Sequence, residues 1–394
     1  MPILSRHNVN LSQRELHAAL PGCHEPDETL VDAFESAFAT YHGVRHAVAT
    51  GTGRAALFLA LKSLKLPPGA PVAMPGYTFY TLPAVVEALG LQPVYVPVNP
   101  RTFAIDETRL EENLPRDTAA LLVIHPFGQA APLDPILEIC RRRSIPLLED
   151  PSQSIGGRYN DKGLGSFGHA SAFSLVPGKN MTACGGGMLT TDDDALAEQA
   201  RDLLREAPTP TGAMGRVLST GVQWAMTHRV GFALGLYYPF RILNRLDRNR
   251  LDAIFEEAQI PFHTHQDLTR LSGVQAAIGQ VQLERLDELN AIRRRNAEAL
   301  LSALAGIPEL TLPQVVDKCE PTFNAVAVRV AHAARIRQLL LKKGIDSRED
   351  YMRWAEDGLQ KRDEILYLPN HPGLNLNHMR YVADTTRRIV HGRP

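Results

Sequence analysis

The chain has 394 residues, 44% of them hydrophobic and 22% charged, and a formal net charge of −1. That length buries a large core and usually divides into one big domain and a smaller one, or two of equal size; the balanced charge gives no electrostatic case for a nucleic-acid partner. Cys23, Cys140, Cys184 and Cys319 are far apart with no C-x-x-C pair, so there is no zinc spacing or disulfide framework, no metal is expected, and a reducing cytosol is the natural setting.

The opening MPILSRHNVN lacks the apolar core of a signal peptide. No stretch approaches the ~18–20 apolar residues that a spanning helix requires, so a soluble or at most surface-attached protein is expected. Residues 28–41 place apolar side chains at helical spacing. Gly51-Thr52-Gly53 then introduces a second helical run, RAALFLALKSL. From residue 70 short apolar runs alternate with helical ones: PVAMP, PVYVPV, AALLVIHPFG, IPLLED, SAFSL and GGMLTT read as buried strands, with LPAVVEAL, TRLEENL and DPILEICRRR as helices between them. Strands alternating with helices predict an α/β domain with a mainly parallel sheet. The stretch 207–265 departs from this order, and 272–304 reads as one long helical pattern without proline. The remainder, with strand-like TFNAVAVRV, helical HAARIRQLLLKKG and a closing helix, is expected to form a smaller C-terminal domain.

Three local features carry chemistry. Asp150 ends the strand-like LLED, and in open α/β sheets ligands bind beyond the carboxyl ends of strands; a helix-capping aspartate is the plain alternative. Lys179 follows SAFSL in the turn Ser174-Leu175-Val176-Pro177-Gly178-Lys179-Asn180, where a solvated surface lysine is the ordinary reading. Gly51-Thr52-Gly53 opens a helix, where free N–H groups and the helix dipole favour a phosphate, although many such starts are only caps. Together they fit a pyridoxal 5′-phosphate (PLP) enzyme, which needs a lysine amine for the Schiff base, an acid beside the pyridinium nitrogen and a cradle for the phosphate. An aromatic ring above the cofactor would complete the site, and Pro75-Gly76-Tyr77-Thr78-Phe79 stands where one is expected.

With TGTGRAALFLAL, MPGYTFYTLPAVVEALG, HPFGQAAPLDPI, LLEDPSQSIGGRY, GSFGHASAFSLVPGKN, CGGGMLTT, RLSGVQAAIGQVQLERLDEL and YLPNHPGLNLNHMRYV in order, the chain resembles the DegT/DnrJ/EryC1/StrS sugar aminotransferases. The resemblance implies the fold-type I architecture: a large domain with a mostly parallel seven-stranded-type sheet between helices, over about 1–265, and a long linking helix with a small α/β domain over 266–394. It implies that Lys179 forms the Schiff base and moves the proton, and that Asp150 pairs with the ring nitrogen. Gln153 would bond the phenolic oxygen, and Ser174, Thr52 and Gly53 would hold the phosphate. Phe79 would stack on the ring, with Tyr77 as the alternative. His125 is given no role. Lysine rather than histidine at 179 implies transamination, with L-glutamate as donor and a keto-sugar as acceptor, nucleotide-linked or lipid-linked, for glycan or secondary-metabolite assembly. A cytoplasmic homodimer is expected.

The chain departs from the family in three places. Leu268-Thr269-Arg270-Leu271-Ser272 replaces an asparagine-aromatic-arginine run, and ACGGGM lacks the usual acid before its glycines. Residues 213–250 are longer and more apolar than in relatives: Val230 to Phe240 is an apolar run near Trp224, with Arg216, Arg229, Arg241, Arg245, Arg248 and Arg250 against Asp247 alone. That composition suits helices packed on a partner or on the same subunit, with a peripheral contact with the inner face of a membrane or a lipid-linked substrate as the alternative. Two other readings are a PLP-binding regulator without turnover and an enzyme acting on a non-sugar ketone. A nicotinamide dehydrogenase fails because no G-x-G-x-x-G follows an early strand.

Overall fold

A computed structural model describes residues 2–20, 27–208, 212–246, 268–349, 352–354 and 364–392. Cys23, the stretch 247–265 of the expected insertion with Asp247, Arg248 and Arg250, and the expected boundary at 265–266 lie outside the described residues.

Seven strands form the main sheet: β1 (His46–Thr50), β2 (Pro71–Pro75), β3 (Gln92–Val96), β4 (Ala120–Ile124), β5 (Leu147–Asp150), β6 (Ala170–Ser174) and β7 (Gly187–Thr191). Their order is β1-β7-β6-β5-β4-β2-β3, and β7 alone runs against the rest. The mostly parallel sheet between helices is therefore as the sequence implied. The central strand β4, ALLVI, is buried at every position, the unbroken apolar run expected of a parallel strand covered on both faces. Alternation sorts its side chains. Leu122 joins one cluster with the helices Gly53–Ser63, Thr81–Ala88 and Asp194–Arg205. Leu121 and Val123 join another with Leu110, Ile136 and Ile139 on the opposite face. The sequence reading omitted β1, HAVAT, because alanine is a poor strand former; pairing along its full length with β7 fixes it as the edge strand.

A second, antiparallel sheet consists of β8 (Leu310–Thr311), β9 (Val326–Val330), β10 (Arg348–Glu349) and β11 (Ile365–Leu368), in the order β8-β9-β11-β10. The helices Ala333–Lys342 and Leu376–Val390 share its apolar cluster. The first residues of the chain belong here too: Leu4 bridges to Ile345, and Arg6 pairs with Asp346 at 2.9 Å.

The run 272–304 is two helices rather than one, Gly273–Glu284 and Leu286–Leu304. They meet at Arg285, at φ −102° and ψ −3°. Its guanidinium and the Gln282 amide both bond the buried Glu15 carboxylate, an attachment to the N-terminal segment that no helical periodicity records.

Candidate active site

The carboxyl ends of β4, β5 and β6 open onto one cavity, and the helix Gly53–Ser63 points its N-terminus into it. Thr52, Gly53 and Ser174 line one part of it; Phe79, Asp150, Gln153 and Lys179 line the rest. All seven candidate residues thus reach a single space, from four separated segments of the chain.

Thr52 is the N-cap of its helix, its hydroxyl oxygen accepting the Ala55 N–H at 3.1 Å. That arrangement leaves the Thr52 O–H and the first-turn N–H groups to meet an anion. Gly53 lies hard against β6: a Cβ there would fall 2.9 Å from Ser174 Cβ and 3.1 Å from the Phe173 carbonyl oxygen. Only glycine lets the helix start approach the end of β6 so closely. Behind the loop, Gly51 donates its N–H to the Thr269 carbonyl at 2.7 Å. The segment that departs from the family run therefore braces this corner of the site.

Asp150 is the last residue of β5, and its Oδ1 accepts the Ser152 N–H at 2.9 Å. Ser152 in turn takes the Ser174 N–H on its hydroxyl at 3.0 Å. Gln153 is oriented by two bonds: its Oε1 accepts the Phe127 N–H at 2.9 Å, and its amide nitrogen donates to the Met352 sulfur at 3.3 Å. The second N–H of that amide is left to face the cavity. Lys179 follows Gly178, which sits at φ +93°, in a turn whose Lys179 N–H reaches the Val176 carbonyl at 3.4 Å. The neighbouring Asn180 is buried and donates to Asn290 Oδ1 at 3.0 Å, tying the turn to the helix Leu286–Leu304.

Packing separates the two aromatic candidates. Tyr77 is wholly buried, its hydroxyl 2.8 Å from that of Tyr367 and its ring among those of Phe103 and Phe127, whereas Phe79 lines the cavity.

His125 also lines the cavity. Its Nδ1 accepts the Ala131 N–H at 3.0 Å, so the neutral ring carries its proton on Nε2, which lies 3.0 Å from Glu149 Oε2. Glu149 points to the opposite side of β5 from Asp150 and is completely buried. Burial pushes its carboxyl up, but the bonds from His125 and from the Gly168 and Gly165 N–H groups outweigh that, and the group is held below the usual carboxylate range. Sequence reasoning gave His125 no role and passed over Arg54, Ser152 and Met352, which also line the cavity. Ser152 could have been suspected from its place two residues after Asp150; nothing local marks Met352.

Similarity to known proteins agrees with this geometry. The profile of the DegT/DnrJ/EryC1/StrS aminotransferase family matches residues 14–228 and 262–387. The chain is 31% identical over 361 residues to GDP-perosamine synthase of Caulobacter vibrioides, covering 86% of this chain and 85% of that one. It is 29% identical to dTDP-3-amino-3,4,6-trideoxy-alpha-D-glucose transaminase of Streptomyces venezuelae, covering 82% and 72%. Its fold superposes on the X-ray structure of S. venezuelae DesV with a TM-score of 0.78, at 26% identity, over 99% of each chain.

Proposed function

The chain belongs to the DegT/DnrJ/EryC1/StrS aminotransferase family and is an aminotransferase; from that premise we propose that it binds PLP in this cavity and moves an amino group from L-glutamate to a nucleotide-linked keto-sugar. The observation that carries the reading is the convergence of Lys179, Asp150 and Gln153 with the Thr52-capped helix start on one cavity. The donor set fits the cofactor. An amine, a carboxylate and an amide with one N–H left to donate lie in one space, beside a glycine whose lack of a Cβ opens the anion corner. The nucleotide-linked acceptor is favoured because both named relatives are enzymes of GDP- or dTDP-sugars.

Bound PLP would supply an electron sink that weakens a Cα–H bond of the amino donor. The chain's residues do the rest in this reading. Lys179 Nζ would take up and release the proton that moves between the donor's Cα and the cofactor carbon. Asp150 holds a proton on the ring nitrogen, and the Gln153 N–H bonds the phenolic oxygen. The Thr52 and Ser174 hydroxyls and the Gly53 N–H hold the phosphate at the helix N-terminus. Phe79, which lines the cavity, would pack against the cofactor and exclude water. We further read 1–265, apart from the first residues that join the second sheet, and 266–394 as the large and small domains of a homodimer.

The test is the visible spectrum of purified protein with PLP, before and after L-glutamate. A Lys179-dependent band near ~420 nm that moves toward ~330 nm with glutamate is expected for such a cofactor site. A spectrum unchanged in Lys179→Ala ends the assignment of that lysine; a band that ignores glutamate ends the choice of donor.

A further inference from the structure

Between Glu206 and Asp247 the chain carries no carboxylate but four arginines, Arg216, Arg229, Arg241 and Arg245. Most of this stretch is a helical hairpin: Ala213–Thr227, then Arg229–Gly231 running through a π-helical turn into Tyr237–Leu246. Its two arms touch at the backbone, since a Cβ on Gly231 would fall 1.8 Å from the Ala225 carbonyl oxygen. The inner face of the second arm is already satisfied. Phe232, Tyr237 and Phe240 pack with Leu341, and the Tyr237 hydroxyl donates to the Leu341 carbonyl at 3.1 Å.

The outer faces are apolar. Met214, Leu218 and Val222 stand four residues apart on the first arm, and Val230, Leu234, Tyr238 and Ile242 do the same on the second. Leu218 is 64% exposed and Leu234 78%. Ten large apolar side chains are exposed among the described residues, and these seven are on the hairpin. Single exposed hydrophobics need no explanation, but two periodic stripes on adjoining helices mark an interaction surface. The family profile stops at residue 228 and resumes at 262, so the second stripe lies outside the residues it matches.

We propose that this hairpin docks the enzyme on the anionic surface of a lipid bilayer. The helices lie in the interface, with the Leu218, Val222, Leu234 and Ile242 side chains among the acyl chains and Arg229 and Arg241 at the level of the phosphates. Charge selects this occupant over a second copy of the chain. A self-complementary contact through the same face would set these arginines against their equivalents, and no carboxylate between 207 and 246 is available to pair them. A layer of acidic headgroups pairs both Arg229 and Arg241, while the Arg216 guanidinium is turned inward beside Gly185. No helix among the described residues is long and apolar enough to cross a membrane, so the contact is peripheral.

Sedimentation of the full chain with vesicles tests this, comparing phosphatidylcholine alone with phosphatidylcholine containing about one third phosphatidylglycerol. The chain is expected to bind the mixed vesicles at least about tenfold more tightly and to be released by salt. A Leu218→Glu/Leu234→Glu variant, and the milder Val222→Ser/Ile242→Ser, are expected to lose at least about tenfold of that binding with an unchanged unfolding midpoint. Arg229→Gln/Arg241→Gln is expected to weaken binding to mixed vesicles only. Failure of the unaltered chain to sediment with mixed vesicles overturns the proposal, as does binding that both apolar variants retain. If the unaltered chain ignores vesicles and the Leu218→Glu/Leu234→Glu variant instead dissociates into smaller oligomers, a second copy covers this face and the proposal is likewise overturned.

Discussion

Glu149 and His125 form a closed pair under the floor of the cavity, Oε2 and Nε2 3.0 Å apart, with both side chains wholly removed from water. The two carboxylate oxygens also take the N–H groups of Gly165, Phe167 and Gly168 and the Ser171 hydroxyl. Every one of these partners is a donor, so a charged acceptor is the group the site requires. Glu149→Gln puts an NH2 against those donors and is expected to cost about 3 kcal/mol or more. Chemical unfolding of the variant measures this; a loss under about 1 kcal/mol would show that the network relaxes around the amide.

Gly53→Ala is expected to fail at the same place on two counts. Its Cβ would meet Ser174 Cβ at 2.9 Å, so either the helix start or the end of β6 must move. Overpacking of this kind costs about 1–3 kcal/mol. The displaced N-terminus should also weaken PLP affinity by about tenfold or more. Fluorescence titration with PLP checks the second effect separately from the unfolding midpoint.

Asp150→Asn separates binding from chemistry. The Ser152 N–H keeps an acceptor in the amide oxygen, so the loop geometry is retained. What would be lost is the charge that, in the proposed function, holds a proton on the ring nitrogen. PLP should still bind, and the glutamate-induced spectral change should slow by about 10²–10³-fold. A variant as fast as the unaltered enzyme would remove Asp150 from the mechanism.

His42 carries an acid sensitivity unrelated to the site. It is buried, with Nδ1 3.0 Å from the Phe38 carbonyl oxygen, its Nε2 without a partner, and its ring stacked on Phe38 at 4.2 Å. Burial lowers its pKa from 6.5 to about 4. The unfolded chain therefore takes up this proton below pH ~6.5 while the folded chain does not until pH falls to about 4. Stability is full above that window and falls through it by about 1.4 kcal/mol per pH unit for each such group. Burial brings His371 to about 3, in the same direction. His42→Phe should flatten the slope by about one proton while leaving neutral-pH stability nearly unchanged. Unfolding midpoints from pH 7 to 4 check it.

Much of the fold was legible because its signals are local. A buried parallel strand must be apolar throughout, so ALLVI and PVAMP declare themselves, whereas HAVAT is a strand only because β7 pairs with it. The turn chemistry around Lys179, the acid ending LLED and the glycine-bounded helix start were each visible as motifs, with the ordered family pattern making them one reading. That they share a cavity is a property of the sheet order, which sets the ends of β4, β5 and β6 side by side.

Other features were decided only at a distance. Tyr77 and Phe79 are two residues apart on one segment, and either could have been the ring over the cavity. Tyr367, nearly three hundred residues away in sequence, takes the Tyr77 hydroxyl and commits that side chain to the core. Glu15 accepts from Gln282 and Arg285 where the expected single helix divides. His125 looked like an ordinary buried histidine until the Ala131 N–H and the Glu149 carboxylate fixed its tautomer at the cavity wall. Periodicity reports which face of an element is apolar, because that depends on neighbours three or four residues away. Which side chain meets a partner from another element depends on contacts that form only as the whole chain closes.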